Sequence, residues 1–424
     1  MDFLHVKDVL SKEKEGKEVK LRGWVYRKRE QKDIVFIILR DSTGIIQLTC
    51  KDEVFKIAQK ATIESSIQVK GIVKEDKRAP GGFEVEVKEL EIVGLAERFP
   101  ITRDKSEEFL RDVRHLWIRS QKMTKIFKIR SEVFYAIHEF FRKRGFIEVQ
   151  SPSIITAACE GGATLFEIKY FDKKAYLTQS WQLYAEAMIY SLEKIYTIAP
   201  SFRAEKSKTF RHLAEYWHAE AEAAWMDMKS CMKLAEDLVC FICEKIVEKC
   251  KEELEFFGRK PKDLLIKPPF ERKSYSEAID ILKKKGFKIK WGEDLGADEE
   301  KALTKGYKKP FFIYGYPVKC KAFYHMPDPK DPKITKSFDL LAPRVGEIIG
   351  GGQRIHDKAQ LIKKIKDFGL DPKDYEWYID LRKYGSVPHS GFGLGIERLI
   401  MWIIGLQHIM DAIPFPRTIR RYYP

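Results

Sequence analysis

The chain lacks any run of about 18 apolar residues, so no segment reads as a membrane-spanning helix. Its opening stretch, MDFLHVKDVLSKEKEGKE, turns charged too soon for the apolar region of a secretory signal. Cysteine is scarce, with seven in 424 residues, scattered and odd in number. That argues against a disulfide framework and for a reducing compartment, so a cytoplasmic location is expected. Cys240 and Cys243 form a CxxC, with Cys231 and Cys250 nearby, but no second CxxC or His pair completes a zinc set. Helical periodicity from Met232 to Glu253 instead puts Cys240, Cys243 and Cys250 among Leu, Val and Ile as buried thiols. Internal repeats and low-complexity tracts are missing too. So is the regular strand–helix alternation of a parallel nucleotide-binding sheet.

What is present is a surplus of positive charge. Lys and Arg number 78 against 63 Asp and Glu, for a formal charge of +15. Such a balance suits a polyanionic partner, though charge says nothing of fold. Residues 19 to 93 read as five strands. Val19 to Leu21 opens the first; Ile34, Phe36 and Ile38 alternate in the second, and Ile46, Leu48 and Cys50 in the third. Ile67, Val69 and Val73 follow, then Phe83, Val85 and Val87. A helical stretch, Asp52 to Ile63, separates the third strand from the fourth, which is the order of an OB-fold barrel. A polar linker follows, and then a helix marked by Ile126, Ile129, Val133, Ile137, Phe140 and Phe141, with Gly145 as its C-cap. A hairpin is expected from Phe166 to Tyr170 and Ala175 to Thr178 around Asp172, Lys173 and Lys174. Two longer strands are expected at Lys194 to Glu205 and Glu215 to Trp225. The fold class is therefore α+β, with an antiparallel sheet flanked by helices.

Four stretches carry chemistry. In TIAPSFRAE, Arg203 and Glu205 are two residues apart and leave one strand face, as in an ordinary cross-strand ion pair. In EYWHAEAEAAW, Tyr216, His218, Glu220 and Glu222 share a face as well. Carboxylates that close repel unless cations or a ligand neutralise them. The loop between the two strands supplies Lys206, Lys208, Arg211 and His212, so a basic loop lies over an acidic, aromatic floor, an arrangement suited to a nucleoside triphosphate. In GFGLGIERLIMWIIGL a glycine-rich turn enters an apolar helix bearing Arg398; Gly395 falls one residue early for a dinucleotide-binding GxGxxG. Arg398 can lie against an adenine ring or reach a phosphate. In FDLLAPRVGEIIGGGQR, Asp339 and Glu347 are isolated carboxylates. They suit Mg²⁺ completed by phosphate oxygens, or equally an internal salt bridge to Arg344 or Arg354.

In this order the pieces resemble the three motifs of class II aminoacyl-tRNA synthetases, in the aspartyl, asparaginyl and lysyl subgroup, over essentially the whole chain. The first resembles the helix ending in GFIEVQSP, the second SFRAE with its loop and RHLAEYWHAEAE, the third GFGLGIER. The resemblance implies an OB-fold anticodon domain at 1–98, a hinge at 99–124 and a catalytic domain at 125–424. It further implies ATP as substrate, Mg²⁺, tRNA as partner, and a homodimer with Pro152 at the interface. Arg203 resembles the arginine that binds the α-phosphate and the substrate carboxylate, and Glu205 the acid on the adenine amino group. Tyr216 and Arg398 stand where adenine is sandwiched, with Arg211, His212, Leu213 and Gly395 around the ATP. Asp339 and Glu347 resemble the metal ligands. Glu160, in the flap CEGGATLF, Ser180, Gln182 and Arg354 resemble amino-acid contacts. Phe36, Gln47 and Arg27 resemble anticodon contacts, although Phe36 also suits a barrel core and Gln47 a solvated strand.

Asparagine is expected over aspartate. Where aspartyl enzymes carry a lysine after QLY this chain has Ala185, and Glu220 accepts from an amide but repels a carboxylate. YGYPVKCKAFYHMPDPKDP and YGSVPHSGFG also resemble asparaginyl enzymes, whereas Ile355 and His356 after Gln353-Arg354 look more aspartyl-like. The alternatives are an aspartate enzyme, one charging both tRNAs, and a paralogue that makes asparagine from the adenylate. The barrel speaks against that paralogue, which has no use for an anticodon reader. A non-catalytic RNA-binding relative is disfavoured by the intact Arg203, Glu205, Glu347 and Arg398.

Overall fold

A computed structural model describes residues 2–102, 104–157, 159, 164–205 and 210–424. The chain divides into two compact units, Met1–Trp117 and Ile118–Pro424.

The first unit holds strands β1 (Glu18–Gln31), β2 (Ile34–Arg40), β3 (Ile45–Cys50), β4 (Ser66–Glu75) and β5 (Phe83–Gly94), with helix α1 (Asp52–Lys60) between β3 and β4. They pair in the order β1-β2-β3-β5-β4, and β4 pairs back to β1, which closes a five-stranded barrel. Val19, Leu21, Val25, Ile46, Leu48, Cys50, Val69 and Val85 fill it. β2 differs from its expected alternation. Val35, Ile37 and Leu39 are the fully buried series, and Ile34, Phe36 and Ile38 stand half-buried on the outer face. The strand is apolar on both faces, so period-two spacing could not choose between them. The choice fell chiefly to β3, whose buried Cys50, Leu48 and Ile46 pair beside Val35, Ile37 and Leu39, with Val25 of β1 beside Leu39.

The second unit is built on an eight-stranded sheet: β6 (Ile147–Glu148), β7 (Lys194–Phe202), β8 (Glu215–Ala224), β9 (Arg272–Ser274), β10 (Phe311–Tyr314), β11 (Ser337–Ala342), β12 (Gly346–Gln353) and β13 (His389–Gly395). Their order is β9-β10-β11-β12-β13-β8-β7-β6, antiparallel except at the two edges. Helices α2 (Gln121–Arg142) and α4 (Met228–Lys249) pack together, with Phe140 against Phe241. Phe141 stacks on Tyr196 of β7, which fixes α2 to the sheet. Gly145, at φ +74°, carries the chain out of α2. Between these two helices in sequence, α3 (Gln182–Leu192) leads into β7. No helix among the described residues is long and apolar enough to cross a membrane.

Three local expectations shift. The hairpin turns more tightly, with Lys173 paired to Tyr170 and only Phe171 and Asp172 at the tip. β7 ends at Phe202, so Arg203 and Glu205 lie just past the strand, although the Arg203 amide still bonds the Ala214 carbonyl at 2.9 Å. The glycines of GFGLG are not a turn: they lie in β13, a central strand, which runs directly into α5 (Ile396–Ile404). Cys231, Cys240, Cys243 and Cys250 are free and buried, and burial pushes the Cys240 and Cys250 thiols up to about 12.

Candidate active site

The register places chemistry in rows across the sheet. Asp339 pairs with Gly350, Gly350 with Gly393, and Gly393 with Glu220. At about 4.8 Å per strand, the two acids stand roughly 14 Å apart across a floor of two glycines. The next row runs Ser337, Gly352, Gly391, Glu222. Side chains on these glycines would fill the space. A Cβ at Gly391 would meet Glu222 Oε2 at 1.9 Å, and one at Gly350 would meet Glu347 Oε1 at 2.8 Å and Asp339 Oδ1 at 3.4 Å. A β-bulge between Leu340 and Leu341 pairs Leu341 with Glu347, which brings Glu347 onto the face that carries Asp339.

Two adjoining cavities open over this floor. The first, about 550 Å³, is lined by Arg203, Glu205, Arg211, His212, Leu213, Tyr216, Glu347, Gly395 and Arg398, so every residue expected at the nucleotide is brought together. The Arg203 guanidinium lies 5.8 Å from the Tyr216 ring centre, and Arg398 Nη1 donates to Glu347 Oε2 at 3.1 Å. Arg211 is already engaged: its Nη1 donates to Glu300 Oε2 at 2.5 Å and to the Val345 carbonyl at 3.2 Å. Glu300 Oε2 also accepts from the Glu347 amide at 2.7 Å, so Arg211 and Glu300 together hold the backbone of Glu347. Burial, with Arg398, Arg211 and Arg203 nearby, lowers the His212 imidazole to about 4, so it is neutral at pH 7.

The second cavity, about 1470 Å³, is lined by Ser180, Gln182, Glu220, Asp339, Lys321 and Arg354, and it shares Arg203, His218, Glu347 and Gly393 with the first. Ser180 Oγ donates to Glu220 Oε1, and the Trp181 amide donates to Glu220 Oε2 at 3.2 Å, which fixes that carboxylate. Arg354 donates to Glu222 through Nε at 3.2 Å and Nη2 at 3.1 Å, and to Gln182 Oε1 at 2.6 Å. Gln182 thereby orients Arg354. Its own amide nitrogen donates to Glu186 at 2.8 Å. Ala185 lies with Trp181, Ile189 and Ile195 in the core and lines neither cavity, so a direct contact from that position to the amino acid is not what the fold provides. Glu160, Lys206 and Lys208 lie outside the described residues.

Two residues escaped the sequence reading, Lys321 and Glu300, while the partners of Glu222 and His218 on the expected face were not foreseen. Lys321 Nζ lies 2.7 Å from both oxygens of Asp339. Glu300 anchors Arg211, Glu222 anchors Arg354, and His218 lines both cavities. Lys321 and Glu300 come from irregular or short elements far along the chain, where spacing carries no signal. Burial, opposed by Lys321 and aided by the Glu347 charge, raises the Asp339 carboxyl to about 7. Burial acts upward on Glu347 too, but Arg398, Lys321, Arg203 and Arg211 outweigh it and hold that carboxyl at about 2. In the barrel, Arg27 pairs beside Ile38, Ile38 beside Gln47, and Phe36 beside Arg29 and Thr49, so Arg27, Phe36 and Gln47 share the outer face. Gln47 Nε2 donates to Glu84 at 2.8 Å.

Residues 106–419 match the family described as tRNA synthetases class II (D, K and N), and residues 19–93 match the OB-fold nucleic acid binding domain. The asparagine–tRNA ligase of Thermococcus kodakarensis is 52% identical over 432 residues, covering 100% of both chains. The crystal structure of asparaginyl-tRNA synthetase from Pyrococcus horikoshii complexed with asparaginyl-adenylate matches with a TM-score of 0.96 at 50% identity, covering 100% of both chains. The aspartyl tRNA synthetase from Entamoeba histolytica matches with a TM-score of 0.87 at 27% identity, covering 100% of this chain and 93% of that one.

Proposed function

The chain belongs to the class II tRNA synthetases of the D, K and N group, and we propose that it acts as an asparagine–tRNA ligase. It activates asparagine with ATP to asparaginyl-adenylate, releases pyrophosphate and transfers the asparaginyl group to tRNA(Asn). One observation carries this reading: Arg203 and Arg398 line a single hollow with Tyr216, and that hollow runs into another that holds Glu220 and Arg354.

Adenine lies between Tyr216 and Arg398, with Glu205 taking its amino group. Arg203 holds the α-phosphate and the amino-acid carboxylate. Neutral His212 adds no competing charge, while Leu213 and Gly395 close the wall. The asparagine carboxylate attacks the α-phosphorus in line and pyrophosphate departs, so no protein nucleophile is needed. Rate comes from positioning and from cations fixed where negative charge grows. Asp339 and Glu347 fit a divalent cation, because both carboxylates reach the space above Gly350 and Mg²⁺ favours one or two carboxylates completed by phosphate oxygens. When bound, the ion supplies positive charge to the phosphates.

Ser180 and Gln182 shape the amino-acid end, with Glu160 on the ammonium group. Glu220 accepts from the side-chain amide and Arg354 donates to its oxygen. Arg354 is already neutralised by Glu222, so it is no surplus cation for a second substrate carboxylate, and Glu220 repels one. That favours asparagine over aspartate. The barrel, assigned to residues 1–98 with a hinge at 99–124 before the catalytic domain at 125–424, reads the anticodon through Phe36, Gln47 and Arg27, by stacking and edge contacts suited to single-stranded loops. We assign the enzyme to the cytoplasm as a homodimer with Pro152 at the subunit boundary.

Pyrophosphate exchange with each amino acid tests the reading. Asparagine supports exchange and aspartate does not; robust exchange with aspartate alone would overturn it.

A further inference from the structure

Beside the nucleotide cavity, and apart from the amino-acid cavity, is a third concavity. Phe210 lines it while the adjacent Arg211 lines the nucleotide cavity, and Arg344 and Val345 line it from the turn that leads into Glu347. It encloses about 2180 Å³ and is open to solvent. Its walls carry Arg259, Lys267, Lys301, Lys308, Lys309 and Arg344 against a lone acid, Asp263. All of these cations but Arg259 are exposed, and among the described residues none of the five exposed ones pairs with a carboxylate. Elsewhere on the surface lysines do pair, as in Lys143–Glu139, Lys233–Asp237 and Lys383–Asp380. Charges left unpaired around one concavity repel one another, and a polyanion relieves that repulsion.

We infer that this groove binds the phosphate backbone of tRNA, along the stem next to the end that is charged. The inference rests on the ligase reading above, and two features favour it. Five exposed cations, Lys267, Lys301, Lys308, Lys309 and Arg344, line one open groove, and cations of this kind hold phosphates, which position a nucleic acid without reading its sequence. The groove also shares the Phe210–Arg211 segment with the nucleotide cavity, so RNA lying there has its end beside the adenylate.

The test joins Lys267→Gln, Lys301→Gln and Lys308→Gln in one variant. The three side chains are exposed and take no part in either cavity. The expected result is a tRNA dissociation constant raised at least tenfold. The slope of log affinity against log salt falls by about 0.9 for each phosphate no longer neutralised, so by about 2.7. Asparagine-dependent pyrophosphate exchange, which needs no tRNA, stays within about twofold. Unchanged tRNA affinity and salt slope alongside normal exchange overturn the groove and leave the ligase reading intact. A wild-type chain that fails exchange with asparagine overturns the ligase reading instead. A second measurement needs no variant: lysine acylation read by mass spectrometry with saturating tRNA. Protection of Lys267, Lys301 and Lys308 supports the groove. Equal labelling with and without tRNA, or protection by polyglutamate but not by tRNA, overturns it.

Discussion

In the barrel, Val35, Ile37 and Leu39 fill the core while Ile34, Phe36 and Ile38 of the same strand stand on its outer face. In the catalytic sheet, the face that carries Glu220 and Glu222 is itself buried, and its acids are met by partners from other elements. Apolar matter fills most of the first interior, with one buried ion pair, Arg40–Glu64, among the described residues. The second contains Arg354–Glu222, Lys321–Asp339 and Arg211–Glu300 pairs inside a cavity. Breaking such a pair from one side leaves an uncompensated buried charge, whereas trimming an apolar core loses transfer energy and leaves a cavity; both are strongly destabilising, but only the first also alters the charge that faces the ligand. The barrel therefore tolerates change on its outer face without loss of fold, and the catalytic sheet couples stability to the same residues that face the ligand.

That contrast breaks most visibly at Arg398. Arg398→Ala removes the cation that lines the nucleotide cavity and bonds Glu347. Pyrophosphate exchange should fall by about 10³ in kcat, the size expected when a fixed group facing developing charge is lost. tRNA binding through the barrel should change less than about threefold. A filter-binding assay that shows equal loss of tRNA affinity would mean the two units do not act separately.

Glu220→Gln comes next. The carboxylate held by Ser180 and Trp181 becomes an amide that no longer repels aspartate. The ratio of kcat/KM for asparagine over aspartate should fall by about 10- to 100-fold, mainly through aspartate gaining. An unchanged ratio takes Glu220 out of the discrimination.

How far each face was legible follows from polarity. On β8, charged and aromatic residues alternate with alanines, so the shared face of Tyr216, His218, Glu220 and Glu222 was readable from spacing alone, and the register bears it out. On β2 both faces are apolar, so the period was visible and the side was not. The three motifs were legible as linear strings, and the nucleotide residues they name line one cavity. Their partners were not. Glu300 sits on the helix Ala297–Thr304 and Lys321 in a loop, and only the tertiary fold brings them to Arg211 and Asp339. The β-bulge that re-aims Glu347 leaves no mark in the sequence, because the extra residue is an ordinary Ile348.

On the barrel side the sharpest change is smaller. Phe36→Ala removes an outer-face aromatic that the core does not use. The KM for tRNA should rise about tenfold, in the range of one lost base stack, while exchange and melting temperature hold. A drop of several degrees in melting temperature would instead return Phe36 to the core.

The smallest effect is expected at Lys321, and it separates holding an acid from serving the substrate. Both Asp339 oxygens accept from Lys321 Nζ, so a divalent cation has to compete with the ammonium for that carboxylate. Lys321→Met removes the competitor. Asp339 is already raised to about 7 by burial despite this lysine. Without the lysine it sits higher still, and at neutral pH it takes up a proton instead of remaining a bare charge. A raised carboxyl binds its proton more tightly folded than unfolded. The stability it lends is therefore full at low pH and is lost as pH rises toward and through 7. Mg²⁺ added without ATP should then raise the melting temperature of the variant by about 2 °C more at pH 8 than at pH 6, since at the higher pH less proton has to be displaced. The wild-type chain, whose lysine already fills the role, should respond less at both. If the wild-type chain gains as much from Mg²⁺ as the variant does, Lys321 is no competitor for Asp339, and its place is with the substrate.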